Sequence, residues 1–386
     1  MLHDNDLMHR HGQTMHTHGA AAYIQHIHTA HPGHALEQEE SISWLQWAVR
    51  HSTAPASERE RAAHFLEKLK DNNAIEYRHS VLRDFRAANF DNLTLFADSG
   101  VSVVSPGVTQ RMRTHDDAAA KLLEQLFADA DAPEAIIAVT CTGYSSPSPT
   151  QRMLAQRRWD RTMHYQLGHM GCYAAFPALR LAEAHVLAGS SRSIDICHVE
   201  LCTVHFRPDD TRPEQLVVQT LFADGAARVH VTAQPQGRAL RVLGAAERLL
   251  PDTATDTTWN IGEQGFLMSL SRAVPVHIRA SIARAVDDFL AEQDLARSDI
   301  DVWAIHPGGP RIIEATMEAL GLTEVAVSDS RAVLAAHGNM SSATVPHIWK
   351  RVLDDERKVA GTLLLSMAFG PGLTVVLNLL RVEHHA

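Results

Sequence analysis

Asp301-Val302-Trp303-Ala304-Ile305-His306-Pro307-Gly308-Gly309 is an apolar run of strand character that ends on a histidine and opens into a glycine-rich turn. Downstream, His337-Gly338-Asn339-Met340-Ser341-Ser342 opens a helix of small residues, and Thr362 to Met367 has the character of the strand that follows. The same order occurs earlier. Ala135-Ile136-Ile137-Ala138-Val139-Thr140 is continuously apolar, as a strand buried on both faces requires. A turn-rich stretch, Gly143 to Thr150, comes next. Gly171-Cys172 then opens a small-residue helix through Ala182, and Ile194 to Cys197 is the following strand. Strand, glycine-led helix and strand thus occur twice, with Cys172 and Asn339 each directly after a glycine.

The segments between the strands carry helical periodicity. Ala119, Leu122, Leu123 and Leu126 share one side of a helix over Asp116–Leu126, and Ile278, Ile282, Val286, Phe289 and Leu290 share one side of another. Arg228 to Thr232 is strongly β in propensity. Helices alternating with buried strands indicate an α/β protein. The stretch from Leu240 to Thr258, with Pro251 and several Thr and Asp residues, is the expected boundary. The division is a histidine-rich flexible leader over residues 1–20, an N-terminal half over 21–240 holding Cys172, and a C-terminal half over 241–386 holding His306 and Asn339.

The 386 residues carry a formal net charge of -10, which argues against a non-specific nucleic-acid binder. No apolar run has the length of a membrane span, and no signal-peptide core stands near the start. Four cysteines, Cys141, Cys172, Cys197 and Cys202, show no CxxC pairing and read as reduced thiols of a cytoplasmic enzyme. Nine of the 25 histidines fall within the first 34 residues: His3, His9, His11, His16, His18, His26, His28, His31 and His34. Such a tract either binds metal or is a mobile leader; it lacks a ligand framework of recognised spacing, so no metal is expected.

Three residues carry chemistry between them. A cysteine in the first turn of a helix faces unpaired N–H groups and the positive end of the helix dipole, which favour a nucleophilic thiolate. The competing role for Cys172 is that of a small buried apolar residue. His306, at a strand end before glycines, is placed to pair with a thiolate or donate to developing charge, or else is structural. Asn339 either supplies an oxyanion donor through its amide or caps a helix, in which case it faces backbone rather than a cavity. Together they suit cleavage of a malonyl C–C bond, because the enolate left by CO2 needs neutral or cationic donors.

Gly171-Cys172-Tyr173-Ala174 followed by Leu179-Arg180-Leu181-Ala182, then Trp303 to Pro310, then Gly338 to Ala343, then Ala368-Phe369-Gly370-Pro371-Gly372-Leu373-Thr374, resemble the chalcone and stilbene synthase family of type III polyketide synthases. The four blocks stand in the family's order and cover the chain from about Ala21 to its end. The resemblance implies a thiolase-type five-layered αβαβα fold of two similar halves, working as a homodimer. It implies an acyl-CoA starter, malonyl-CoA extender units, cyclisation to a pyrone, resorcinol or phloroglucinol-type ring, and no cofactor. By position, Cys172, His306 and Asn339 correspond to the family's catalytic set and Phe222 to a phenylalanine that gates the tunnel. Met268 falls where a second gating phenylalanine is found, with Phe266 two residues away. Thr142, Cys202, His205 and Ser341 fall at pocket-lining positions, and Gly308, Gly370 and Pro371 at turns that shape the cavity. Cys202 and His205 depart from the plant pattern, so chalcone itself is not the expected product. Lys68 and Lys70 lie where plant members hold CoA phosphates, although Glu67 and Glu76 intersperse them and a solvated helix face is the other reading. Two alternative activities keep the fold: a single-step ketosynthase, and a non-catalytic dimeric scaffold.

Overall fold

Why a continuously apolar run suits Ala135–Thr140 is evident from its surroundings. Successive strand side chains point to opposite faces, and here both faces meet a core: Ala135, Ile137 and Val139 enter one cluster and Ile136 another. The computed structural model describes residues 21–70, 74–97 and 102–386. The leader assigned to residues 1–20 lies outside the described residues.

The first half runs β1 (Tyr23–Ala30), β2 (His34–Glu37), α1 (Gln38–Arg50), α2 (Ala56–Leu69), β3 (Tyr77–Ser80), α3 (Val108–Leu126), β4 (Ala135–Thr140), α4 (Pro149–Gln156), β5 (Met163–Gly168), α5 (Ala175–Leu187), β6 (Ser193–Leu201), α6 (Pro213–Leu221) and β7 (Asp224–Thr232). The second runs β8 (Gly237–Leu249), β9 (Thr257–Gly262), β10 (Gly265–Leu270), α7 (Val274–Ala291), β11 (Val302–Ile305), α8 (Pro310–Leu320), α9 (Ser328–His337), α10 (Thr344–Asp354), β12 (Leu363–Gly370) and β13 (Thr374–His385).

Nine strands form one sheet in the order β11-β12-β13-β8-β1-β7-β6-β4-β5. The pairing repeats. β4 and β6 are parallel, and β6, β7 and β1 then pair antiparallel. β11 and β12 are likewise parallel, with β12, β13 and β8 antiparallel. Within the sheet, β1 and β8 link the halves through the pairs Tyr23 with Arg241 and Ile24 with Leu240. In place of a second β5, the segment after α8 is tied to β11 by the Trp303 N–H donating to the Ala326 carbonyl at 3.2 Å.

Helices α5 and α10 fill the space between the half-sheets. Phe176, Leu179 and Ala182 of α5 share a core with Ile348, Trp349 and Val352 of α10. The alanines at 174, 175, 178 and 182 are almost fully buried and let backbones approach closely. On the outer faces, α3 covers the first half-sheet and α7 with α8 cover the second. Helix, sheet, helix, sheet and helix give the expected five layers. Trp349 is fully buried, meets Phe176 edge-on at 6.0 Å, and donates from Nε1 to Ser366 Oγ at 2.7 Å. Trp349→Ala should therefore cost about 3–5 kcal/mol of unfolding free energy, read as a lowered denaturation midpoint, because it empties the central layer and strands a hydroxyl.

Several boundaries differ from the sequence reading, each for a physical reason. Helix α3 starts at Val108 rather than Asp116, because Arg111 and His115 occupy its buried face and interrupt the apolar period. Leu240 to Leu249 is not a linker but most of β8; Pro251 and its polar neighbours form only the turn that follows. The small-residue helix opens at Ala175, not Cys172: Pro177 has no N–H to donate to the Tyr173 carbonyl, so regular helix cannot begin earlier. Likewise α10 begins at Thr344, and Asn339 stands in an extended bridge opposite Phe222. β1 escapes recognition because a bulge between Ile24 and His26 breaks its alternation. No helix among the described residues is long and apolar enough to cross a membrane.

Candidate active site

Strand ends and helix starts converge on a cavity of about 780 Å³ between the halves. Cys172, in the turn before α5, His306, at the end of β11, and Asn339, before α10, all line it. Phe222, at the end of α6, lines the cavity too, and the adjoining backbone is tied to Asn339: Asn339 N–H donates to Leu221 O and Ala223 N–H to Asn339 O, each at 2.9 Å. Thr142, Cys202, His205, Met268 and Ser341 also face in, as do Gly308, Gly370 and Pro371. Lys68 and Lys70 do not line it. Their helix contributes Phe65 and Leu69 instead, and Lys70 is paired with Glu67 at 3.1 Å.

The Asn339 amide combines a cap-like contact with a place on the cavity wall. Its Oδ1 accepts from the Ser341 N–H at 2.9 Å, in cap-like fashion, while Nδ2 donates to the Gly308 carbonyl at 3.2 Å. Ser341 has φ of 49°, a left-handed conformation that costs a non-glycine residue ~1–3 kcal/mol. One Nδ2 hydrogen is thus committed to backbone, and the second is left for a ligand.

The thiol of Cys172 lies 4.0 Å from Asn339 Oδ1. Of the four free cysteines it is the one that is not buried. Desolvation nevertheless pushes its pKa up to about 12, against the opposing hydrogen bonds of Ser341 and Asn339. Desolvation therefore opposes the expected thiolate, and one turn of irregular backbone separates Cys172 from the regular helix. His306 is 1% exposed, and burial lowers it to about 3. Neither of its ring nitrogens has a partner among the described residues. Burial thus disfavours a lone thiolate and a lone imidazolium alike, whereas opposite charges arising together on the two groups stabilise each other.

Two wall features were missed in the sequence: the hairpin that carries the expected Met268 and Phe266 together with Trp259, and a buried carboxylate. The β9–β10 hairpin brings Trp259, Phe266 and Met268 to the cavity. Phe266 stacks on His205 at 4.3 Å, and Trp259 Nε1 donates to the Cys141 carbonyl at 2.6 Å. His205 is pinned between the Thr142 carbonyl at 2.7 Å and the Phe266 N–H at 3.2 Å, and burial keeps it neutral. The second element is Glu200, fully buried beneath the cavity floor. It accepts from Cys141 N–H at 3.0 Å, Thr142 Oγ1 at 3.1 Å and Ser342 Oγ, and burial raises its pKa. A carboxylate inside a strand of alternating apolar residues, two positions before Cys202, was the available signal, although Asp195 and His198 on the same strand obscure it.

Glycine is required at two positions. Gly171 has φ of +80°, and a Cβ there would meet Pro371 at 2.9 Å. A Cβ on Gly370 would land 2.1 Å from the Tyr173 ring. At the rim, Arg272 and Arg311 are exposed cations that line the mouth, and neither has an ion partner among the described residues.

Comparison with known proteins gives two family matches. The model described as chalcone and stilbene synthases, N-terminal domain, matches residues 9–235, and that of the C-terminal domain matches residues 241–383. The chain is 29% identical over 261 residues to a putative chalcone synthase of Bacillus subtilis, spanning 66% of this chain and 72% of that protein. It is 28% identical over 352 residues to the 1,3,6,8-tetrahydroxynaphthalene synthase of Streptomyces coelicolor, spanning 90% and 89%. Among solved structures it resembles PKS-I from the brown alga Ectocarpus siliculosus, with a TM-score of 0.84 and 26% identity over 94% of this chain and 98% of that one.

Proposed function

Because the chain belongs to the chalcone and stilbene synthase family, we propose that its cavity condenses malonyl-CoA onto an acyl-CoA starter held as a thioester on Cys172, repeats the step, and cyclises the product to a pyrone, resorcinol or phloroglucinol-type ring. The enzyme is an acyltransferase of the type III polyketide synthase kind. The observation that carries the reading is the convergence of Cys172, His306 and Asn339 on one cavity, with a spare N–H on an anchored carboxamide.

The Cys172 thiol passes its proton to the His306 imidazole as sulfur attacks the starter thioester. CoA leaves as its thiol, taking that proton. Malonyl-CoA then places its thioester oxygen against His306 and the free Asn339 Nδ2–H. Loss of CO2 puts the electron pair of the broken C–C bond into an enolate, which those donors stabilise. The enolate carbon attacks the acyl group on Cys172, and the sulfur leaves to complete a chain longer by two carbons.

The residues lining the inner walls are largely apolar, with Val217, Leu221, Met268 and Leu270 among them, and they suit an apolar acyl starter. A cavity of about 780 Å³ lies within the size range of small-molecule sites, in keeping with room for a starter and its growing chain. The reading needs no cofactor beyond these CoA thioesters, and it takes the working form as a homodimer.

Incubating the purified chain with a panel of acyl-CoA esters and labelled malonyl-CoA tests it by product mass. Two or more added two-carbon units support iteration; a single unit transfers the assignment to a one-step ketosynthase; no product with any starter rejects both.

Arg272 and Arg311 are placed to take the CoA phosphates at the rim. Arg272→Ala and Arg311→Ala should each raise KM for both CoA substrates about 5–10-fold, the value of one exposed charge-assisted contact, with kcat little changed. Lys68 and Lys70 are the other cations in question, and the same measurement on Lys68→Ala and Lys70→Ala distinguishes the two pairs.

A further inference from the structure

Behind the Asn339 loop, on the side away from the cavity, four histidines from four elements meet. His31 follows β1, His79 lies on β3, His337 ends α9, and His347 lies on α10. The ring of His31 stacks on those of His337 and His79 at 4.4 and 4.6 Å, and lies 4.9 Å from that of His347. Ligand nitrogens of His31, His79 and His337 all fall within 4.8 Å of one another, and Nε2 of His347 is 3.3 Å from Nε2 of His31.

Two features set this cluster apart from a chance gathering. His79 and His347 each place Nδ1 against a backbone carbonyl, Pro32 O at 3.2 Å and Ala343 O at 2.8 Å. A carbonyl only accepts, so both rings carry hydrogen on Nδ1 and a lone pair on Nε2, which in His347 faces Nε2 of His31 at 3.3 Å. Metal-binding histidines are fixed in the same way, through a hydrogen bond from the far ring nitrogen. Moreover, Nδ1 of His337 is buried without any partner, so that a ring nitrogen of this residue is left for a ligand. Burial lowers all four imidazoles from their ordinary pKa, with neighbouring histidines adding to this for His31, His337 and His347, which favours the neutral form that a metal ligand needs.

We propose that His31, His79, His337 and His347 form a structural site for one divalent transition-metal ion of the zinc class, which clamps the end of β1, β3, α9 and α10 together behind the Asn339 loop. An all-imidazole donor set suits zinc, copper or nickel rather than calcium or magnesium. Two nitrogens bound tetrahedrally at ~2.0–2.1 Å stand ~3.4 Å apart, close to the 3.3 Å between His31 and His347. The His31 and His337 planes lie within 7° of parallel, so one of these rings must turn about its χ2 bond as the ion enters. The outcome does not depend on the proposed catalytic cycle, because the site lies outside the cavity.

The test uses the full chain with His3, His9, His11, His16 and His18 replaced by alanine, so that leader histidines cannot hold metal. After incubation with Zn2+ and exhaustive dialysis, about one zinc per chain is expected by mass spectrometry. Co2+ in its place should give the intense visible bands of a tetrahedral nitrogen site. His79→Gln, at a half-buried position, and His337→Gln should each weaken zinc binding on the order of 100-fold in calorimetry, and should abolish a zinc-dependent rise in melting temperature that the parent chain displays. Zinc lost entirely with the leader histidines would overturn the proposal, as would zinc retained unchanged in folded His79→Gln and His337→Gln chains.

Discussion

Cys172→Ala should abolish polyketide formation, by on the order of 10⁴-fold or more, while the enzyme goes on releasing CO2 from malonyl-CoA. The two halves of that result come from different residues. Chain extension needs a sulfur to hold the acyl group next to the nascent enolate, and none of the other three cysteines can replace it. Cys197 does not line the cavity, and Cys141 and Cys202, which do, are buried, whereas Cys172 is partly exposed to it. Decarboxylation, by contrast, needs only donors for the enolate oxygen, and alanine leaves His306 and Asn339 in place. Loss of one member of a nucleophile–base pair typically costs 10⁴–10⁶-fold. The measurement is product mass alongside labelled CO2 release, with circular dichroism to confirm folding. Product formation retained in Cys172→Ala would end the assignment. Because burial disfavours a lone thiolate and a lone imidazolium alike, activity should also stay level between about pH 6 and pH 9, where neither group titrates. A bare thiolate mechanism would rise steeply with pH over that window.

The second large effect concerns the donors. In the Cys172→Ala background, His306→Ala and Asn339→Ala should each slow CO2 release about 10²–10³-fold, the usual consequence of removing one oxyanion donor. Asn339→Asp is the sharper variant. Its remaining oxygen can still accept from the Ser341 N–H, so the left-handed turn keeps its support. It loses the Nδ2–H contact to Gly308 O and sets a carboxylate beside the developing enolate. Asn339→Asp should therefore be at least as slow as Asn339→Ala while folding normally. If it decarboxylates at the parental rate, the amide is a cap and nothing more.

The differences between sequence and structure follow a pattern. Elements whose burial is purely apolar, such as β4 and α7, were readable because periodicity reports burial directly. Elements that bury polar groups were misread: Arg111 and His115 hid the first two turns of α3, and Glu200 concealed a carboxylate beneath the cavity floor. For Arg111 and Glu200 the main partners lie far away in the chain. Arg111 donates to Val204 and Phe206 carbonyls, and Glu200 is held by residues some 60 and 140 positions distant. No local pattern records such a partner.

From the order of residues alone follow the α/β class, the repeated strand, glycine-led helix and strand, the family blocks, and the identity of Cys172, His306 and Asn339 as a set. These are local properties: apolar period, turn chemistry and short motifs are carried by neighbours in the chain. The protonation states of the cysteine and histidine, the cations at the rim and the four-imidazole cluster behind the Asn339 loop were decided by the tertiary structure. Desolvation and through-space distance set those properties, and both arise only when segments up to 316 residues apart, as His31 and His347 are, come into contact.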